Sequence, residues 1–220
     1  MSKGRLISFE GLDGAGKTTQ MDLLERWLRA RQLSYIRTRE PGGTPLGIEI
    51  RRLLFQQPEL ALTPLAEAFL FQADRAQHFE TLILPALAEG KLVVTDRCFD
   101  SSIAYQGAAR GVGTARVEQL SLIATQGHVP DLTIFLDLDP QQVQQRTDLA
   151  QDQSGKRDEV SRFDRESVVF HQRLRETFLC LAQTHPERIK IVQATRSITE
   201  VQQEIILLVE QLLMKDSKIV

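Results

Sequence analysis

Eight residues near the start of the chain, Gly11-Leu12-Asp13-Gly14-Ala15-Gly16-Lys17-Thr18, have the spacing G-x-x-x-x-G-K-T. Glycines at those positions let the backbone curl until successive N–H groups point inward at phosphate oxygens. A helix starting at the lysine adds the partial positive charge of its N-terminus. In such a cradle Lys17 bridges the β- and γ-phosphates of ATP, and the Thr18 hydroxyl ligates Mg²⁺. The plain alternative is a glycine-rich turn with an exposed lysine. The apolar run Leu6-Ile7-Ser8-Phe9 before the loop and the helical pattern after it favour the cradle. A second pair, Asp96-Arg97, ends another apolar run, Leu92-Val93-Val94-Thr95. Motor and transporter ATPases usually carry Asp-Glu there, the glutamate activating water. A guanidinium in its place suits an anionic acceptor instead of hydrolysis. On this reading Arg97 pins the acceptor's phosphate and Asp96 serves the Mg²⁺ shell; a surface ion pair at a strand end is the other reading. The Asn-Lys-x-Asp element of a GTPase is excluded, because the chain contains no asparagine.

These groups work only if strands and helices hold them in place. The helical spacing of Leu23, Leu24, Trp27 and Leu28 predicts a helix from about Lys17 to Arg31. Ser34 to Thr38 reads as a strand closed by the loop Pro41-Gly42-Gly43. Thr44-Pro45 opens a helix to about Phe55. Thr63-Pro64 repeats that signal, and helix is expected to about Glu89, kinked or restarted at Pro85 and stopped by Gly90. After the strand ending at Asp96, Ser101–Gln106 and Ala115–Gln126 read as helices. Leu132–Leu136 is a strand, Asp139-Pro140 starts a helix, and the polar Gln151–Glu159 is a loop. A helix from about Arg162 to Gln183, a strand Arg188–Val192 and a helix from about Thr199 to Leu213 follow. Five short strands alternating with helices predict an α/β fold with a five-stranded parallel sheet covered on both faces. Without repeat, linker or composition break, residues 1–220 read as one domain.

Composition narrows the function. The 220 residues carry 27 Lys and Arg against 29 Asp and Glu, a net charge of −2, so no broad cationic field offers itself to nucleic acid. No apolar run reaches the roughly 20 residues that span a membrane. Met1-Ser2-Lys3-Gly4-Arg5 shows no secretory pattern, and Cys98 and Cys180 cannot form a disulfide scaffold, so a cytoplasmic protein is expected.

Three stretches together resemble the thymidylate kinases. Phe9-Glu10-Gly11-Leu12-Asp13-Gly14-Ala15-Gly16-Lys17-Thr18-Thr19 is similar to their P-loop, and Arg37-Thr38-Arg39-Glu40-Pro41-Gly42-Gly43-Thr44 to their second phosphate-side loop. Asp96-Arg97 with Ser101-Ser102-Ile103-Ala104-Tyr105-Gln106-Gly107 is similar to their acceptor motif. The resemblance implies the P-loop nucleoside monophosphate kinase fold, Mg²⁺-ATP as donor, dTMP as acceptor and a homodimer. It implies that Phe71 stacks on thymine and that Arg75, four residues on and on the same helix face, bonds the base's carbonyl edge. Phe69, about 200° away around that helix, is expected in the core. Ser102 and Gln106 approach the pyrimidine, and Tyr105 crowds the sugar's 2′ carbon. Asp13 reaches the acceptor's 3′-hydroxyl or a metal-bound water, and Arg39 helps to hold the acceptor phosphate. Glu40 receives no role.

Phosphoryl transfer also calls for cations around the moving group. The variable P-loop positions Leu12, Asp13, Gly14 and Ala15 contain no base, so the chain resembles the bacterial-type subgroup that supplies arginine from a lid. A lid at about 146–162 would offer Arg146, Lys156, Arg157 and Arg162, with Arg157 and Arg162 taken as catalytic. A solvated helix surface is the bland reading of the same charges. The chain departs from relatives in Ser161-Arg162-Phe163-Asp164, preceded by a longer loop, and in Cys98. Another small acceptor, or a nucleotide-dependent switch without a small-molecule substrate, are the rival functions.

Overall fold

The computed structural model describes residues 4–57, 59–143, 163 and 166–214. Its centre is a five-stranded sheet: β1 (Arg5–Glu10), β2 (Tyr35–Arg39), β3 (Leu92–Asp96), β4 (Leu132–Asp137) and β5 (Ile189–Gln193). The strands run parallel in the order β2-β3-β1-β4-β5. Side chains alternate across each strand. Ile7, Val94 and Ile134 therefore face one layer, packed on α1 (Lys17–Ala30) and the C-terminal helix α8 (Ile198–Met214). Leu6, Val93 and Phe135 face the other. That second layer contains α2 (Pro45–Phe55), α3 (Pro64–His78), α4 (Leu84–Ala88), α5 (Phe99–Ser102), α6 (Thr114–Ala124) and α7 (Val168–Thr184). Each fully buried aliphatic or aromatic side chain in these layers stabilises by about 1.5–3 kcal/mol.

The start signals act as expected. Thr44 and Thr63 accept from the backbone N–H groups of Gly47 and Ala66, each with proline at the next position. The long helix expected from Thr63 to Glu89 is interrupted by a π-helical turn, Phe79–Ile83, ahead of Pro85. Proline cannot donate to the preceding turn, and the wider turn absorbs that loss. A second π segment, Ile103–Ala109, replaces the end of the helix expected at Ser101–Gln106. The helix expected from Arg162 begins instead at Val168. Ser167 has an extended backbone and its hydroxyl accepts from Phe170 N–H at 3.3 Å, which caps the helix there.

Phe69, expected in the core, is 52% exposed. The buried stripe of α3 runs through Ala68, Phe71, Arg75 and His78, and Phe69 shares the outer face with half-exposed Leu65. Among the described residues, no helix is long and apolar enough to cross a membrane.

Candidate active site

Parallel strands present their carboxyl ends on one edge, where ligands of open α/β sheets bind. Here Phe9 and Arg39 both pair in register with Asp96, so β1, β2 and β3 deliver the two loops and the Asp96-Arg97 pair side by side.

The P-loop leaves β1 at Gly11. A β-carbon there would lie 2.7 Å from the Leu136 carbonyl oxygen, at a φ of +139° that side chains rarely adopt. Gly16, at φ +97°, turns the chain into α1, and no side chain caps that helix. Lys17 is buried and donates to the carbonyls of Gly11 (3.0 Å) and Leu12 (3.1 Å) and to Asp13 Oδ1 (3.2 Å). Thr18 and Thr19 stand exposed on the first turn.

Asp13 joins this donor side to the acceptor side: its Oδ1 also accepts from Arg97 Nη2 at 2.7 Å. Desolvation pushes the Asp13 carboxyl up, but Arg97 and Lys17 outweigh it and hold the group well below the usual carboxylate range. The side chain is 46% open to solvent, so these contacts orient more than they stabilise. Arg97 sits at φ +67°, a strained conformation for a residue with a side chain. Its Nη1 donates to Ser101 Oγ (3.2 Å), and its guanidinium lies 4.9 Å from the Tyr105 ring centroid. Glu10, fully buried behind the turn, accepts from Cys98 N–H (2.8 Å) and the Ser101 hydroxyl (2.5 Å). Burial and then Asp100 push the Glu10 carboxyl up to about 8, against the opposing pull of Arg97.

A cleft of roughly 640 Å³, counting its open mouth, extends from Asp13 and Arg97 between α2, α3 and the second π segment. Its walls bring together Asp13, Arg39, Phe71, Arg75, Asp96, Arg97, Ser102, Tyr105 and Gln106, every acceptor-side residue expected from the sequence. Phe71 and Arg75 do share the inner face of α3. Arg75 is 1% exposed, and each nitrogen of its guanidinium has a partner. Nε and Nη2 pair with Glu40 Oε2 (2.9 and 2.8 Å), Nη1 reaches Gln72, Ser102 and Ser121, and Nη2 donates to the Cys98 carbonyl. Glu40 Oε1 lies 3.0 Å from His78 Nδ1. Burial alone would raise the Glu40 carboxyl; Arg75 and then His78 reverse that and lower it. Neighbouring Asp74 goes the other way, to about 6, through burial and then the Glu40 charge. Burial keeps the Tyr105 phenol neutral, far above its ordinary titration range.

The cleft also contains residues that the motifs did not single out. Arg51 and Phe55 are four apart on α2, with the guanidinium 5.0 Å from the ring centroid. Phe163 packs 5.0 Å from Tyr105 and 5.8 Å from Phe55, centroid to centroid. The spacing of Arg51 and Phe55 repeats that of Phe71 and Arg75 and was a usable signal. For Phe163 the only signal was an aromatic among charges. The lid candidates Arg146, Lys156, Arg157 and Arg162 lie outside the described residues.

A parallel sheet ordered β2-β3-β1-β4-β5, a P-loop on β1 and a cationic cleft across from it define a P-loop nucleoside monophosphate kinase fold. The family model described as thymidylate kinase matches residues 9–205. The thymidylate kinase of Leifsonia xyli is 46% identical over 203 residues, covering 92% of each chain. That of Symbiobacterium thermophilum is 44% identical over 207 residues, covering 94% of this chain and 93% of its own. The crystal structure of thymidylate kinase from Ehrlichia chaffeensis superposes with a TM-score of 0.75 at 32% identity, covering 94% of this chain and 99% of that one. The chain belongs to the thymidylate kinase family.

Proposed function

We propose that this site transfers the γ-phosphoryl group of ATP to the 5′-phosphate of dTMP, giving ADP and dTDP for dTTP synthesis, with the labour divided as follows. Gly11, Gly14, Ala15, Gly16, Lys17 and Thr19 cradle the triphosphate, and Arg39 and Arg97 hold the acceptor phosphate. Phe71 stacks on the base, Arg75, Ser102 and Gln106 meet its polar edge, and Tyr105 closes against the sugar. Asp13 meets the acceptor's 3′-hydroxyl or a metal-bound water. The observation that carries this reading is that one cleft gathers all the acceptor residues and opens onto Asp13 and Arg97, beside the P-loop.

Phosphoryl transfer needs alignment and charge compensation and no covalent enzyme intermediate. Arg97 is suited to this, since its strained backbone and its bonds to Asp13 and Ser101 hold the fork before substrate arrives. The residues also fit Mg²⁺: Asp96 Oδ1 is buried without a hydrogen-bond partner among the described residues, and the Thr18 hydroxyl adds a second hard oxygen. That ion usually takes one or two protein oxygens and the substrate's phosphates; there it would neutralise charge on the transferring group. We assign residues 1–220 to one domain, whose segment at about 146–162 acts as a lid that brings Arg157 and Arg162 to the phosphates and excludes water.

The working form in this reading is a homodimer. Leu46 and Ile48 on α2, Leu65 and Phe69 on α3, and Leu122 and Ile123 on α6 leave apolar surface exposed, and a second copy would cover it with the same patch. Cys98 and Cys180 are unpaired, which suits the reducing cytoplasm. A coupled assay with ATP, Mg²⁺ and a panel of nucleoside monophosphates tests the reaction. Saturable ADP release with dTMP is expected. Saturation with ATP but no calorimetric binding of dTMP would reduce the protein to a nucleotide binder.

A further inference from the structure

Behind Gln106, which lines the cleft, lies a buried carboxylate that none of the roles above uses. Glu67, in the first turn of α3, is fully buried. Its Oε1 accepts from Gln106 Nε2 at 2.9 Å, and its Oε2 lies 3.4 Å from Arg110 Nε. A carboxylate beside a guanidinium accepts hydrogen bonds and does not donate them. The amide nitrogen of Gln106 must therefore face Glu67, and the carbonyl oxygen must face away from it. That oxygen is neither buried without a partner nor bonded among the described residues, and Gln106 lines the cleft. Beside it, Ser102 Oγ accepts from Arg75 Nη1 at 2.9 Å, which leaves the serine proton free to be donated. The cleft thus shows a base an acceptor held in one sense, the Gln106 oxygen, beside a Ser102 hydroxyl that can donate or, through its second lone pair, accept.

We propose that Glu67 is a positioning residue that sets pyrimidine choice by locking the Gln106 amide with its carbonyl oxygen toward the base. The proposal rests on the dTMP reading above and extends it to specificity. Thymine and uracil offer a 4-carbonyl acceptor and an N3–H donor, the complement of this pair. Cytosine offers a 4-amino donor, to which the Ser102 hydroxyl can turn, and a bare N3 acceptor, which meets the locked Gln106 oxygen as acceptor against acceptor. A site that leaves buried polar groups unpaired rejects an analogue far more strongly than one lacking a methyl contact. Without a fixed amide, Gln106 would rotate by half a turn and accept cytosine.

The experiment compares kcat/KM for dTMP and dCMP at saturating ATP. Wild-type turnover of dTMP tests the reading on which the proposal rests; the ratio between the two acceptors in the variants tests the proposal itself. In Glu67→Gln the new amide can accept or donate, so the dTMP:dCMP ratio should fall at least about tenfold with KM for ATP unchanged. Exchanging the pair, Glu67→Gln with Gln106→Glu, again sets an amide against a carboxylate and keeps an acceptor toward the base, so it should restore the preference. If Glu67→Gln does not fold, Gln106→Leu decides. The proposal requires its ratio to fall by a similar factor, whereas a freely turning amide would contribute no discrimination to lose. A folded Glu67→Gln with an unchanged ratio, an exchanged pair that restores nothing, or an unchanged ratio in Gln106→Leu would each overturn it.

Discussion

Replacing Glu40 by glutamine isolates the charge that holds Arg75. Glu40 takes two guanidinium nitrogens of Arg75, at 2.9 and 2.8 Å, and a third contact to His78 at 3.0 Å, all within the protein interior. Both Arg75 contacts end on Oε2, so an amide oxygen placed there can keep them, but the pair loses its negative charge and the amide nitrogen then faces His78 Nδ1. Breaking a buried pair on one side costs about 3–5 kcal/mol, because a charge is left behind without compensation. Arg75 retains Gln72, Ser102, Ser121 and the Cys98 carbonyl, which places the loss at the lower end, about 3 kcal/mol. For a chain of this size that lowers Tm by about 6–12 °C. In the role proposed for it at the base, a loosened Arg75 would lose its position, so kcat/KM for dTMP should fall roughly 10- to 100-fold. KM for ATP should stay within about twofold, since no bond of Glu40 reaches the P-loop.

Thermal unfolding and ADP release titrated with dTMP at saturating ATP measure both effects. The folded carboxyl is lowered, so its contribution is present above the ordinary value of 4.5 and is lost as pH falls through the folded value. The stability gap between wild type and Glu40→Gln should therefore narrow on acidification below about pH 4.5. A variant with wild-type Tm and unchanged KM for dTMP would refute the account of Arg75 as an arginine held by its ion pair.

Lys17→Ala should lower kcat at least about 10²-fold in the same assay while the fold persists; retained turnover would remove the lysine from the chemistry. Glu10 titrates at about 8 in the folded chain against an ordinary 4.5, so its contribution to stability is full below about pH 4.5 and is lost as pH rises to 8. Glu10→Gln should remove that loss, a difference of at most on the order of 4 kcal/mol between pH 4.5 and 8 in urea unfolding; parallel pH profiles would contradict it. Phe69→Glu should shift the protein toward monomer in light scattering without changing its helix content, and an unchanged mass would place the dimer contact on another face.

The parts of this molecule that were legible in the sequence are those whose physics is local. Strand, glycine turn and helix start succeed one another within 13 residues at the P-loop, and the prolines after Thr44 and Thr63 mark helix starts unaided. Buried charge was not legible. Glu40 and Glu67 look like surface residues until Arg75 and Gln106, 35 and 39 residues away, are brought against them. Periodicity put Phe71 and Arg75 on one face, yet it could not say which layer that face would meet. For that reason Phe69 was expected inside and stands outside. The π segment at Ile103–Ala109 has no breaker residue ahead of it. It shows in packing, where the wider turn sets Tyr105 and Gln106 into the cleft wall.

Those hidden ion pairs bear on catalysis as much as on stability. A cationic cleft built from free arginines would attract phosphate but would have to order its side chains at the moment of transfer. Here Arg75 and Arg97 are each held by a carboxylate from another segment, Glu40 and Asp13 respectively. Asp13 also contacts Lys17, so a single carboxylate sets the distance between the donor-side ammonium and the acceptor-side guanidinium. Substituting Asp13 by asparagine would leave both cations in place but loosen their spacing. Because orientation contributes to the transition state more than to ground-state binding, kcat should then fall further than KM rises for either substrate. Equal losses in both Michaelis constants with kcat unchanged would mean that Asp13 supplies affinity and no alignment.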